Sequence, residues 1–518
     1  MNVIDYGIVV LYLASMVWLG FRFKKSKGGK DYFLGGKQFG WFSLCLSVMA
    51  TQLSAISFVS APAFVGLRPG GGMQWLTFEF GVPIAMIIII AVIGPALYGS
   101  GLVSAYGYLE KRFNQTSRLL ISAVFLISRC FATGVTIYTV CLILSSVMHI
   151  PFWQCMLMLG VITVVYSLEG GMRAIVYSEV AQMIIKFLGI LVIAGCGLYY
   201  LGGWGKFLEH VDRNRLNVVD FSNFGFDGKE YGFWPMLIGG VFLYCSYYGT
   251  DQTQAQRILS AKDEGTVKKL LLFNGLFRFP VTLSYCMGGL ILGAFVAANP
   301  DFASLIPKEK PDLMIPTFIT HYVPHGIVGI IVVALIAAGM SSYSSTLNAL
   351  SAVSMEDFIG RKWEMTKERY VNVSKAVAFV WGVITMLLAF FVGDIAKTVI
   401  ETINKIGSLF YGPIVAIFLL AILSKRVKAN AANIGLVAGV VTNLIMWIFF
   451  KNIFWFWWNA IGACVTLLIG TGLSLLTPSK IERDTGTYRQ NFFTKENLVL
   501  VIFFLCILTF SILLPKLF

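Results

Sequence analysis

Long apolar runs recur along this chain at the spacing a bilayer imposes, and no soluble architecture accommodates so many of them. They fall near 3–22, 41–66, 74–99, 118–147, 152–168, 173–201, 233–250, 268–298, 326–352, 371–391, 396–423, 430–450, 454–476 and 497–516, about fourteen segments long enough to cross ~30 Å of hydrocarbon. In lipid every backbone N–H and C=O must be bonded within its segment, so each run reads as a helix. Of the 518 residues 57% are hydrophobic and only 13% charged, too few charges to cover a soluble chain of this length. The chain is predicted to be an all-α, multi-pass protein of the cell membrane, with the lipid bilayer as its solvent.

The basic residues give the orientation. The linker after the first run carries Arg22, Lys24, Lys25, Lys27, Lys30 and Lys37, and alternate later linkers repeat the bias with Lys111, Arg112 and Arg118, then Arg173, then Arg257, Lys262, Lys268 and Lys269, then Arg361, Lys362, Lys367 and Arg369, then Lys425, Arg426 and Lys428. These linkers are cytoplasmic by the positive-inside rule, which places both termini on the extracytoplasmic side. The net charge of +14 is thereby a topology signal. No nucleic-acid partner is implied, because no basic patch sits in a soluble domain.

Several chemistries are excluded. The longest linker is about thirty residues, below the ~40 at which a domain stands without staples, so no signalling module is expected. The nine cysteines lie in or at apolar runs with no CxxC pair, which indicates neither a disulfide frame nor a zinc ribbon. Gly35-Gly36-Lys37-Gln38 lacks the spacing and the hydroxyl of a nucleotide-binding loop. His321 and His325 have metal-like spacing, but Pro324 between them disrupts a helix. No nucleophile–base constellation appears, and an enzyme is not expected.

Two segments are broken by polar and small residues where a plain span would be uniformly apolar: 41–66, through Ala50-Thr51-Gln52-Leu53-Ser54-Ala55-Ile56-Ser57, and 233–258, through Cys245-Ser246-Tyr247-Tyr248-Gly249-Thr250-Asp251-Gln252. Interrupted segments at corresponding positions of two halves point to an inverted-repeat transporter with its site near the midplane. The repeats would be 41–201 and 233–423, with an extra helix before (3–22) and three after (430–516), in a single transmembrane domain. The run Gly339-Met340-Ser341-Ser342-Tyr343-Ser344-Ser345 lies in another apolar segment. Its hydroxyls serve either small-residue helix packing or a cation site. Ala338, Ser341, Ser342 and Ser345 share one helical face. Unwound carbonyls at Ala50 and Leu53, the Ala338 carbonyl and the Ser341 and Ser342 hydroxyls could form an all-oxygen shell. Neutral oxygens suit Na⁺, since divalent ions recruit carboxylates.

Ala50-x-x-Leu53-Ser54, the Tyr248-Gly249-Thr250-Asp251-Gln252 to Gln256-Arg257 stretch, and Ser341-Ser342-x-Ser344-Ser345 to Asn348-Ala349 followed by Glu356-Asp357 resemble the sodium/solute symporter family over nearly the whole chain. The resemblance implies a LeuT-type five-plus-five inverted repeat with about fourteen transmembrane helices, Na⁺ as the coupling ion, and a main sodium site at Ala50, Leu53, Ala338, Ser341 and Ser342. Some members have a second sodium site using an Asp. Here Ser341, Ser344 and Ser345 match and the acid is Glu179, which leaves a second ion and a structural ion pair both open.

Charged residues at membrane depth should face the bundle interior or a wet cavity, or pair with one another: Glu79, Arg129, Asp251 and Arg278. Glu79 follows Phe78 where sugar-transporting relatives have a Tyr-Glu pair on the substrate, and Arg278 matches their Lys. Arg129 lies about one helical turn from an arginine of sialic-acid-transporting relatives. Gln52, Ser54 and Ser57 on the first broken helix are further substrate candidates, and Phe78, Tyr244 and Tyr247 are candidates to flank the cavity, with ordinary aromatic packing as the alternative. The function expected is sodium-coupled import of a small polar solute, a monosaccharide or a sugar acid such as sialic acid, by alternating access in a monomer or weak oligomer. A monocarboxylate or vitamin-type anion symporter and a nontransporting solute sensor are the alternatives.

Overall fold

The computed structural model describes residues 1–24, 29–54, 56–392, 396–476 and 490–518; Lys25 and Lys27 of the first basic linker, and Ala55 of the first break, lie outside them. Among the described residues the secondary structure is helical and no strand is named. The principal helices are α1 (Val3–Arg22), α2 (Trp41–Gln52), α3 (Ala61–Gly66), α4 (Met73–Ser100), α5 (Gly107–Arg112), α6 (Gln115–Met148), α7 (Phe152–Leu201) and α8 (Phe233–Cys245). They continue with α9 (Gln252–Leu259), α10 (Glu264–Ala298), α11 (Ile327–Val353), α12 (Lys367–Val392), α13 (Ala396–Leu423), α14 (Ala429–Phe449), α15 (Phe456–Leu476) and α16 (Lys495–Leu517).

Among the described residues, eleven helices are long and apolar enough to cross a membrane, or twelve if α2 and the segment ending at Gly66 count as one bent span. Helix α7 has 50 residues, which at ~1.5 Å per residue is about 75 Å and too long for one crossing. Gly171 interrupts it, with φ 53° and ψ −151°; a side chain there would be strained and would also meet Tyr32 at 2.8 Å. The apolar runs at 152–168 and 173–201 are the two helices that this glycine separates. Helices α8 and α9, joined through a π-helical turn and the extended residue Asp251, give a second broken segment that opposes the bend between α2 and α3.

Burial separates the core from the lipid face. In α11 83% of the most apolar window is buried inside the protein and in α4 78%, whereas in α16 the share is 22% and in α14 28%; the first two are central and the last two face lipid. Apolar burial cannot hold helices together in a solvent as apolar as leucine, so close approach of small residues does that work. Gly66 of α3 and Gly289 and Gly293 of α10 show this: a Cβ on Gly66 would lie 2.1 Å from the Gly289 oxygen, and one on Gly293 2.4 Å from the Gly66 oxygen. At the start of α1, buried Asp5 caps its own helix through Asn2 and accepts the backbone N–H groups of Gly326 at 2.7 Å and Gly329 at 2.9 Å, tying α1 to the start of α11.

On the face rich in basic linkers, Arg118 gathers three elements. Its Nε donates to Asp357 at 2.7 Å, Nη1 to Glu110 of α5 at 2.6 Å and Nη2 to the Glu356 carbonyl at 2.9 Å. Arg361 donates to the same Glu110 carboxylate. The Arg361 hydrogen bond, assisted by Arg118, holds the Glu110 carboxyl down at about 2. Because the folded value lies below the ordinary ~4.3, this contact stabilises the protein fully above that ordinary value and loses its contribution as pH falls from it toward about 2. The carboxylate is half-buried at the protein's edge and within reach of solvent screening, so the effect is modest. Glu110→Gln is expected to lower stability at pH 7 by under about 1 kcal/mol, and to flatten the acid limb of a melting-temperature profile in detergent. A wild-type acid limb unchanged in the variant would dissociate Glu110 from the tie.

Candidate functional site

Helix α2 stops at Gln52 because Leu53 leaves the helical conformation, with φ −75° and ψ 83°. The break exposes carbonyl oxygens that an unbroken helix would consume. The five residues expected around sodium do come together. Ser341 Oγ donates to the Ala50 carbonyl at 2.9 Å and lies 3.3 Å from that of Ala338; Ser342 Oγ donates to the Thr51 carbonyl at 2.8 Å and lies 3.4 Å from that of Ala338. Ala50, Leu53, Ala338 and Ser341 are inaccessible to solvent.

A residue not anticipated from the sequence completes this cradle. Lys186 of α7 is fully buried, and its Nζ donates to the Ala50 carbonyl at 2.5 Å, the Leu53 carbonyl at 3.0 Å and the Ser341 hydroxyl at 2.9 Å. An ammonium has three donors, and all three are used. The sequence did carry a signal, since a lysine inside the 173–201 run is an intramembrane cation that must find oxygens.

Glu179, two helical turns before Lys186, is committed elsewhere. Its carboxylate accepts Arg257 Nη2 at 2.9 and 2.8 Å on its two oxygens, Thr51 Oγ1 at 3.2 Å, and the hydroxyls of Ser47 and Ser345. The side chains of Glu179 and Arg257 are both wholly buried. Of the residues considered for a second sodium site, the structure brings Glu179 and Ser345 together with Arg257 against them. Ser341 belongs to the Lys186 cradle, and the Ser344 hydroxyl is turned back to the Ser341 carbonyl at 3.2 Å. Arg257, Ser47 and Thr51 were missed as partners because each sits on a different segment from Glu179.

The substrate candidates divide into two polar groups that meet at the second break. In one, Glu79 of α4 accepts Arg278 Nε of α10 at 2.9 Å and Thr282 Oγ1 at 2.9 Å; the Tyr244, Tyr248 and Tyr285 hydroxyls lie within electrostatic range of Arg278. Tyr248, which the sequence reading passed over, donates its hydroxyl to Gln52 Oε1 and stacks on Tyr244 with centroids 5.9 Å apart. Among the described residues Glu79 is the sole hydrogen-bond partner of Arg278, so both Nη nitrogens are unengaged. In the other group, Arg129 of α6 donates its Nε to Asp251 at 2.6 Å and lies over the Tyr247 ring at 5.5 Å. Arg129 is therefore a paired cation, and its acid comes from the break between α8 and α9. Asp251 also accepts the Thr253 N–H at 2.9 Å, capping α9.

The remaining candidates are spread more widely. Phe78 packs with Trp75, Tyr231 and Phe456, at centroid distances of 4.8, 6.1 and 5.0 Å. Ser54 and Ser57 are half-buried beside the first break. His321 and His325 do not converge: the first contacts the Thr317 carbonyl at 2.9 Å and the second Asp5 at 3.1 Å.

Residues 32–439 match the family model of the sodium:solute symporters. The chain is 27% identical to sodium-coupled monocarboxylate transporter 2 of Bos taurus over 89% of its own length and 71% of the relative's. It is 26% identical to the human sodium/iodide cotransporter, over 85% and 69%. A solved structure of a Na⁺-coupled sialic acid symporter, in a substrate-bound outward-open state, superposes with a TM-score of 0.83 at 25% identity and covers 93% of this chain and 100% of that one. The broken helix pair, the LeuT-type arrangement around it and this match across most of the length agree: the chain belongs to the sodium:solute symporter family.

Proposed function

We propose that the solute carried by this sodium-coupled symporter is a small carboxylate, a monocarboxylate or a sugar acid, taken up across the cell membrane by alternating access between the 41–201 and 233–423 repeats. The observation that carries this reading is Arg278. Glu79 engages only its Nε, leaving the two Nη nitrogens in the fork geometry that receives a carboxylate through paired hydrogen bonds. Tyr244, Tyr248 and Tyr285 neighbour the Arg278 guanidinium, and Tyr248 donates its hydroxyl to Gln52 Oε1, so neutral hydrogen-bonding groups are near it for the polar remainder of such a solute. The named substrates of the similar proteins point the same way, since monocarboxylates, iodide and sialic acid are all anions. A neutral monosaccharide, which would use Glu79 as an acceptor for its hydroxyls, fits less well, because that carboxylate is already shared between Arg278 and Thr282.

The test is counterflow in proteoliposomes. Protein loaded with unlabelled short monocarboxylates, sialic acid or glucose is presented with the same labelled solute outside. Exchange of a carboxylate without exchange of glucose is expected. Exchange of glucose alone would sink the assignment, and binding of any solute without exchange would identify a nontransporting sensor.

A further inference from the structure

The oxygen cradle expected to hold sodium is already filled by a cation belonging to the protein. We propose that the Lys186 ammonium takes the place of the sodium ion between α2 and α11, so that the contact between these helices is held by a tethered charge and sodium coupling is not delivered through this cradle. The inference goes beyond the reading of the substrate, which rests on Arg278.

Three observations carry it. The ammonium lies at bonding distance from three of the expected ligands, the Ala50 and Leu53 carbonyls and the Ser341 hydroxyl. A sodium ion seeking the same oxygens would sit against a like charge, and both cannot be held there in a water-excluded site. The oxygens supplied by α2 are those freed at its C-terminal end, the negative end of the helix dipole, which suits an ammonium as well as a metal ion. Finally, Lys186 has no carboxylate to retreat to among its hydrogen-bond partners. Glu179, on the same helical face two turns away, is bound to Arg257 on both of its oxygens.

A tethered ammonium differs from a bound ion in one respect that matters to transport. An ion bridges α2 and α11 only at concentrations that fill the site, whereas Lys186 joins α2, α7 and α11 at any sodium concentration.

The experiment uses sodium itself as the probe. Purified full-length protein is melted in detergent over a NaCl series at constant ionic strength with choline chloride, and ²²Na⁺ binding is measured on the same samples. Wild type and Ser341→Ala are expected to show the same sodium dependence. Lys186→Ala, and Lys186→Met as the variant that keeps the apolar stem, should gain a saturable sodium stabilisation and about one further bound sodium, and adding Ser341→Ala to either should abolish the gain. A wild-type sodium response that collapses in Ser341→Ala would overturn the proposal while leaving the cradle a sodium site, and this arm stands even if the Lys186 variants do not fold. If folded Lys186 variants gain no sodium response, the reading of these oxygens as a cation cradle fails and the proposal with it.

Discussion

Glu179→Ala is expected to destabilise the protein by about 3–5 kcal/mol, the cost of leaving one partner of a buried pair uncompensated. Arg257 would then lie wholly buried with its charge opposed only by hydroxyls and the Thr253 carbonyl, on which its Nε and Nη atoms already depend. Removing both charges should be far milder. Glu179→Gln combined with Arg257→Met is expected to melt within about 1–2 kcal/mol of wild type, since replacing a buried pair by groups of similar volume is often close to neutral. The measurement is a melting curve of the monodisperse protein in detergent, with the double-mutant cycle closed by Glu179→Gln alone and Arg257→Met alone. Additive losses, with the double variant as unstable as the sum of the singles, would show that the two charges do not compensate each other. The same variants address the second sodium site. With Arg257 in place the carboxylate already has its cation, and the Hill coefficient for Na⁺ is expected to be equal in wild type and Glu179→Gln.

The second large effect concerns Arg278. If its free Nη edge receives the substrate carboxylate, Arg278→Gln should cost about 2–5 kcal/mol of substrate affinity, a loss of roughly 30-fold to several thousand-fold. Part of that loss would come from stranding Glu79, so Glu79→Gln with Arg278→Gln is the informative companion: it relieves the stranded charge, should fold as wild type does, and should still fail to bind carboxylates. Arg278→Lys keeps the charge and loses the fork, and an intermediate affinity is expected. Arg129→Gln breaks the bridge from α6 to the second broken helix, elements that the proposed alternating access would move against each other. It is expected to change the rate of transport at nearly unaltered affinity. If affinity falls more in Arg129→Gln than in Arg278→Gln, the carboxylate site lies at the Asp251 end of the second break.

The elements of this fold were legible because membrane solvation acts locally. Each span declares itself by an unbroken apolar run, and each exception is written in the same residues. Leu53 and Asp251 fall within stretches of polar and small residues, and the gap between 168 and 173 contains the glycine on which α7 turns. The cradle was legible for the same reason, since Ala338, Ser341 and Ser342 share a helical face by periodicity alone. Its other half followed from a broken helix, which must leave carbonyls free. Those inferences reach only as far as one segment does.

What the sequence could not provide was the partner of each buried charge. It showed that Glu79, Arg129, Glu179, Asp251 and Arg278 lie at membrane depth and therefore need compensation, and in Lys186 it held a further cation that went unremarked. The compensating groups lie 199 residues apart for Arg278 and Glu79, 122 for Arg129 and Asp251, 78 for Arg257 and Glu179, and 136 for Lys186 and the Ala50 carbonyl. Local periodicity carries no information across such intervals. Each pairing is decided by which helices pack side by side, because a charge taken out of water is tolerated only where another segment brings an opposite charge or a set of oxygens within bonding distance. The sequence alone determined that this chain spans the membrane, where its helices break and which oxygens gather at one break; the tertiary structure decided that a lysine from a third helix lies among them and that Glu79 engages Arg278 through Nε alone while Asp251 takes up Arg129.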